Sequence, residues 1–309
     1  MRFDGKVAIV TGAGAPEGLG QAYAKLLAAR GAKVVVNDFG VGPDGRGVLR
    51  AHAEVVAQEI RDLGGDAVAD AHDVTGQDSA KAVVKTALDT YGEPDILINN
   101  AGIVRAVEFR SASADDIMAQ LSVHLLGTIW MCKAVWPHME ERGYGRIVST
   151  SSSAAWGSRL FSIYGAAKGG ILSLMRSLAI EGAPYGIKVN TISPWAVTTS
   201  FKYFNEVTET TPKAPPEAVA PVVAYLCHED CQSSSEFVWS GEGRVKIGRL
   251  GANEVHDLGT SATVEDVSRN WDAITARTSF EEFSNLSLEG HQNAHLALKQ
   301  DRPPAGEGG

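Results

Sequence analysis

Short β-branched runs alternate with longer stretches of helical periodicity from the N-terminus to about residue 192. Lys6–Thr11, Lys33–Asn37, Ala67–His72, Ile96–Ile98, Arg146–Ser149 and Lys188–Ile192 read as short buried strands. Between them, helical patterns run up to Arg30, over Leu49–Leu63 and over Asp78–Tyr91. A longer one starts at about Ala114 and carries His124, and Pro137 predicts its end. A last apolar helical run covers Ile171–Ile180. Strands alternating with helices predict an α/β fold, a doubly wound parallel sheet with helices on both faces. Ligands of such sheets bind beyond the carboxyl ends of the strands, where Asp38, Asp73, Asn100, Ser152 and Pro194 fall.

The pattern loosens after Pro194. Thr198–Pro216 contains Phe201, Tyr203 and Phe204 and reads either as a surface helix or as a cover over the cleft, its position favouring the cover. Thr263–Trp271 reads as a capped helix, and the last residues are polar and rich in Gly and Pro. The expected organisation is one domain over 1–250, a helical extension over 251–290 and an unpacked tail over 291–309.

A hydrophobic fraction of 44% fits a soluble globular chain, and a net charge of −9 argues against a general nucleic-acid surface. No apolar stretch approaches a membrane span, and no secretory leader precedes the first strand. The terminus Ala305–Gly309 is not a peroxisomal address, and the cysteine content fits a reducing compartment best, so the expected compartment is cytoplasmic. Three cysteines, Cys132, Cys227 and Cys231, imply no disulfide framework. Cys227 and Cys231 lie near His228, but no second ligand cluster accompanies them, so no metal is expected.

The chemistry concentrates in Ser162-Ile-Tyr164-Gly-Ala-Ala-Lys168. Residues four apart on a helix share a face, so a phenol stands beside an ammonium. Free tyrosine has a pKa of about 10, and bringing it to about 7 takes roughly 4 kcal/mol. One unit charge at about 4 Å, in an effective dielectric of about 20, supplies roughly that amount. Tyr-x-x-x-Lys is common on amphipathic helices, and only its setting gives it meaning.

That setting begins at the first strand, which runs into Gly12-Ala-Gly14-Ala-Pro-Glu-Gly18-Leu19-Gly20 and then a helix. Strand, glycine-rich turn and helix form a dinucleotide-binding arrangement. Asp38 ends the second strand, where a carboxylate accepts hydrogen bonds from ribose hydroxyls and repels a 2′-phosphate. The expected cofactor is therefore NAD. Arg46 in the next loop reads as a solvated charge.

The glycine turn, Asn99-Asn100-Ala101-Gly102, the Ser151–Ser153 cluster and Tyr164-x-x-x-Lys168 together resemble the classical short-chain dehydrogenase/reductase family over roughly residues 5–240. The resemblance implies a Rossmann-type fold with Tyr164 as acid–base, Lys168 on the nicotinamide ribose lowering the tyrosine pKa, and a serine on the substrate oxygen. It implies that Asn100, Ala101 and Gly102 line the cofactor cleft, that Asp73 and Val74 flank the adenine, and that Val197 and Thr199 meet the nicotinamide amide. Counting from the fifth strand gives Ser152 as the serine, and counting back from Tyr164 gives Ser151; the strand register favours Ser152. Gly12–Gly18 is longer than the family's turn, with Pro16-Glu17 as the apparent insertion, and Glu17 must turn outward to spare a phosphate. His124 stands where the wider family has asparagine.

A narrower resemblance, through Val34–Asp38, Val123–Leu125, Ser177–Gly182, Leu226–Cys231 and Thr263–Trp271, is to the (3R)-hydroxyacyl-CoA dehydrogenase unit of peroxisomal multifunctional enzyme type 2. It implies a 3-hydroxyacyl-CoA substrate with a fatty or steroid-like acyl group, and a homodimer or homotetramer. Reduction of free steroids or small carbonyls is the enzymatic alternative, and a catalytically idle NAD-binding scaffold is the alternative of another class. The basic run Arg244, Lys246 and Arg249 reads as a solvated face.

Overall fold

A computed structural model describes residues 1–47, 52–199, 202, 213–253, 256–276 and 281–282. The chain divides into two compact units, Met1–Ile247 and Gly248–Gly309.

In the first unit, strands β1 (Val7–Thr11), β2 (Lys33–Asn37), β3 (Asp66–Asp70), β4 (Ile96–Asn99), β5 (Gly145–Thr150), β6 (Ile187–Trp195), β7 (Phe237–Gly241) and β8 (Arg244–Gly248) form one sheet. Its order is β3-β2-β1-β4-β5-β6-β7-β8, and β1 to β7 pair in parallel. The sheet is thus the expected doubly wound Rossmann type. Strand order reverses between β1 and β4, which opens the ligand crevice at their carboxyl ends.

Alternation along the strands builds two cores. Ala8, Val10, Val34, Val36, Ile96, Ile98 and Val148 face one way. There they meet helices α1 (Leu19–Ala29), α2 (His52–Asp62) and α7 (Ala220–Cys227). Val7, Ile9, Val35, Leu97 and Ile147 face the other way. Their partners are α3 (Gln77–Thr90), α5 (Gly127–Arg142) and α6 (Ser162–Gly182). Successive strand residues point to opposite faces, so a fully apolar strand serves both layers.

Three boundaries differ from the sequence pattern. α5 continues through Pro137 to Arg142 and ends at Gly143 with φ +65°. The fully buried Met139 and the ion pair of Arg142 with buried Asp95 at 2.9 Å hold the turn after the proline. β6 extends to Trp195, because Pro194 and Trp195 still lie opposite Ser240 and Gly241 of β7. Arg244 and Lys246 belong to β8, which returns from β7 through Glu242-Gly243, both at positive φ, as a two-residue hairpin turn requires.

Between α4 (Ala114–Leu121) and α5 the helix winds wide over Ser122–Leu126, a π-turn that the periodicity did not announce. The predicted cover over Thr198–Pro216 lies mostly outside the described residues, as do Leu49 and the tail over 291–309. Among the described residues no helix is long and apolar enough to cross a membrane.

The second unit pairs β9 (Gly251–Ala252) antiparallel with β10 (Glu281–Glu282) and contains α8 (Val264–Ile274). Thr263 and Asp266 close a reciprocal capping box, as the sequence predicts.

Candidate active site

The glycine turn leaves β1 at Gly12, whose φ is +63°. A Cβ there would lie 2.7 Å from Ala101 Cα, so the turn sits directly on the residues that follow β4. Asn100 fastens the same junction: its side-chain amide donates to the Thr11 and Gly12 carbonyls, each at 3.0 Å. Thr11 Oγ1 accepts from the Asn100 and Ala101 N–H groups, each at 3.1 Å. Asn100 and Ala101 therefore brace the floor of the cleft.

Helix α1 begins at Leu19 with Gly18 as N-cap, no side-chain cap and no acidic residue in its first turn. Its leading N–H groups stay open to an anion. Glu17 stands at φ +51°, points outward and pairs with Lys202 at 2.5 Å. Asp38 accepts from Gly14 N–H at 2.9 Å and from Gly40 N–H at 2.8 Å, one on each oxygen. Each oxygen keeps a second lone pair for a hydroxyl. These features fit a dinucleotide: a glycine turn packed directly on the residues after β4, an open helix end, and a carboxylate at the ribose position. Asp73 is held by Thr75 N–H at 3.0 Å and by the Thr75 hydroxyl, and Val74 is buried beside it.

The serines following β5 separate cleanly. Ser151 is buried and its hydroxyl donates to the Lys168 carbonyl at 2.8 Å. Ser152 Oγ accepts from Ala154 N–H at 3.2 Å and stands close enough to the Tyr164 phenol to pull its pKa down. Of the two serines that the sequence left open, Ser152 is the one on the phenol.

Tyr164 and Lys168 lie on the first turns of α6, and the Lys168 Nζ is 5.5 Å from the tyrosine ring centroid. The ammonium donates to the Thr150 carbonyl at 2.7 Å. Among the protein's own groups burial dominates the electrostatics, which the sequence argument did not foresee. It raises the Tyr164 pKa above the ordinary 10, with the Ser152 hydrogen bond pulling the other way. It lowers Lys168 from 10.5 to about 7. The neighbouring cation alone does not bring this phenol to neutrality.

His124 packs edge-on against Tyr164, with ring centroids 5.1 Å apart. Its Nε2 lies 2.6 Å from the Ile103 carbonyl and 3.3 Å from the Ile103 N–H, and the shorter contact to the carbonyl favours a proton on Nε2. Burial, and then the charge of Lys168, hold its pKa well below 6.5, so the ring is neutral. Nδ1 is buried without a protein partner. Phe161, which the sequence reading passed over, places its ring 6.0 Å from that of Tyr164. A phenylalanine three residues before the tyrosine, with no helical periodicity around it, offered little signal.

Beyond β6, Val197 N–H donates to the Ala214 carbonyl at 3.0 Å. The Thr199 hydroxyl donates to the Pro16 carbonyl at 2.6 Å. Thr199 and Lys202 therefore clasp the two residues by which the glycine turn is lengthened.

A Rossmann sheet with serine, tyrosine and lysine gathered beyond its fifth strand defines an oxidoreductase of the short-chain dehydrogenase class, and the chain belongs to that family, whose pattern it matches over residues 6–209. It is 43% identical over 273 residues to a protein of Mycobacterium tuberculosis named as a short-chain type dehydrogenase/reductase, covering 87% of this chain and 94% of that one. It is 41% identical over 286 residues to peroxisomal multifunctional enzyme type 2 of Drosophila melanogaster, covering 89% of this chain and 46% of that longer protein. The chain thus spans less than half of that multifunctional relative. A short chain dehydrogenase crystal structure from Mycobacterium avium superposes with a TM-score of 0.77 at 34% identity, covering 89% of this chain and 96% of that one.

Proposed function

We propose that this oxidoreductase uses NAD to interconvert a secondary alcohol and a ketone, with a 3-hydroxyacyl-CoA as substrate. The Ser152 hydroxyl and the Tyr164 phenol stand together beside buried Lys168, whose Nζ is 5.5 Å from the phenol ring centroid, and this grouping is the observation that carries the reaction type. Asp38 carries the choice of NAD, since a 2′-phosphate would meet a carboxylate already fixed by two backbone N–H groups. The substrate class rests on the 41% identity to the multifunctional enzyme.

In the oxidative direction the Ser152 hydroxyl holds the substrate oxygen, and the Tyr164 phenolate removes the hydroxyl proton. The nicotinamide cofactor, when bound, supplies the hydride acceptor and, in its oxidised form, a positive charge. Protonated Lys168 stabilises the Tyr164 phenolate. Neutral His124 keeps the phenol in place with the edge of its ring. In the reductive direction Tyr164 O–H returns its proton to the substrate oxygen.

Three buried free thiols fit a reducing compartment, which we take to be the cytosol. The test is the absorbance of reduced cofactor when purified protein meets NAD or NADP with (3R)- and (3S)-hydroxyacyl-CoA thioesters and the matching free alcohols. NAD-dependent turnover of the (3R) thioester is expected. Turnover of free alcohols alone would keep the chemistry and remove the substrate class.

A further inference from the structure

Two loops border the Ser152–Tyr164 pair, and both expose large apolar side chains. One follows β4. Its Phe109 sits in a short 3₁₀ turn and is 75% exposed. The other joins Ser152 to Tyr164, so its members stand at the rim of the site by connectivity. It contains Trp156, 53% exposed, and Leu160, 38% exposed. The loops are tied by one backbone hydrogen bond, Val107 N–H to the Leu160 carbonyl at 3.0 Å.

Leu160 stands at φ +67°, a left-handed conformation that a leucine seldom adopts and a glycine adopts freely. Backbone held in a sparsely populated region clusters at ligand sites, and here it accompanies an apolar side chain left outside the core. Trp156 is not loose either: its ring packs edge-on against Phe237 with centroids 5.7 Å apart, which leaves the rest of the indole to solvent. Phe161 continues the apolar surface inward to the Tyr164 ring. Exposed Trp156 and Leu160 thus lie in the segment that leads to the Phe161–Tyr164 ring pair, and the loop of Phe109 is tied to the same segment.

We infer that Trp156, Leu160 and Phe109 form the binding surface for the apolar chain of the substrate, and set a preference for long or bulky acyl groups over short ones. The inference rests on the proposed reaction at Tyr164, because it gives that site its chain selectivity. The occupant follows from continuity with the catalytic pair: a chain attached to the carbon held at Ser152 and Tyr164 leaves the site along this surface. A small polar alcohol would leave it wet.

The test is the chain-length dependence of kcat/KM for wild type and for Leu160→Gly, Trp156→Ala and Phe109→Ser. Leu160→Gly suits the left-handed backbone, so the fold tolerates it. Each buried methylene is worth about fourfold, so wild type should gain on the order of tenfold or more between a four-carbon and a ten-carbon acyl group. Leu160→Gly and Trp156→Ala should each lower the ten-carbon value by about fivefold to tenfold and the four-carbon value by less than about twofold. Equal losses at every length, or none, would overturn the inference. Parallel losses with a changed molecular mass would overturn it too, by making the surface a subunit contact. Binding of a fluorescent long-chain acyl probe, measured on the same variants, separates the two readings. Probe binding that weakens in the variants without turnover of any thioester or alcohol would keep the surface and remove the reaction. Turnover without probe binding would do the reverse.

Discussion

The Lys168 ammonium donates to the Thr150 carbonyl at 2.7 Å inside a site where the lysine is almost fully buried. Burial holds its pKa near 7 against an ordinary 10.5. Between those values the unfolded chain binds more protons than the native one, so this group's contribution to stability rises with pH. Below about pH 7 the burial penalty is complete, and above about pH 10.5 it is gone. Lys168→Met removes the titration. Without added cofactor, the stability of the variant relative to wild type should be greatest below pH 7. That advantage should shrink by about 4 kcal/mol toward pH 10.5. Urea unfolding at several pH values measures it, and a gap that ignores pH would mean the ammonium is solvated.

Ser151 and Ser152 are expected to fail differently. Ser152→Ala should lower kcat by about a hundredfold or more, since it removes the donor at the reacting oxygen, and should also cost about 1 kcal/mol of stability through the lost bond from Ala154 N–H. Ser151→Ala should keep kcat within a few-fold and cost about 1 kcal/mol of stability through the lost bond to the Lys168 carbonyl. Steady-state rates of both variants decide the assignment, and thermal melts check the two stability costs.

Tyr164→Phe should still bind cofactor and lose about a thousandfold or more in kcat. Fluorescence titration with the reduced cofactor, beside the rate assay, separates the two effects. Retained turnover would remove Tyr164 as the proton-transferring group.

Asp38→Ala should weaken NAD and raise the NADP-to-NAD ratio of kcat/KM by about tenfold to a hundredfold, because a fixed negative charge leaves the ribose position. The same change frees the Gly14 and Gly40 N–H groups, so a lower melting temperature should accompany it.

Gly102→Ala places a methyl group 2.6 Å from His124 Cε1, against a buried ring already anchored on Ile103. Such overpacking should cost about 1–3 kcal/mol. Adding His124→Ala should recover most of it, and a double-mutant cycle in urea tests the coupling.

Much of this arrangement was legible in the sequence because it is local. The six central strands, the glycine turn, Asp38 and the Tyr164–Lys168 spacing are read within a few residues of one another. What escaped depends on distant partners. Pro137 stays helical because Met139 and Asp95 lie where the next turn must end. Glu17 finds its partner in Lys202, 185 residues further along the chain. Ser151 is tied down only when the Lys168 carbonyl arrives from α6. The pKa values of Tyr164 and Lys168 depend on burial, which a spacing of four residues does not report.

The wide turn at Ser122–Leu126 makes chain length itself a constraint. Gln120 accepts from Arg105 N–H at 3.3 Å, and His124, four residues on, meets Ile103 and Tyr164. After the turn, Met131, Cys132, Val135 and Met139 fill the core. Losing a single residue there would rotate one half of the helix against the other by about 100°. Either the loop beside the phenol or the core would then face the wrong way. Descendants of this sequence can exchange side chains along that helix, but an insertion or deletion within it would have to be matched by a second one nearby.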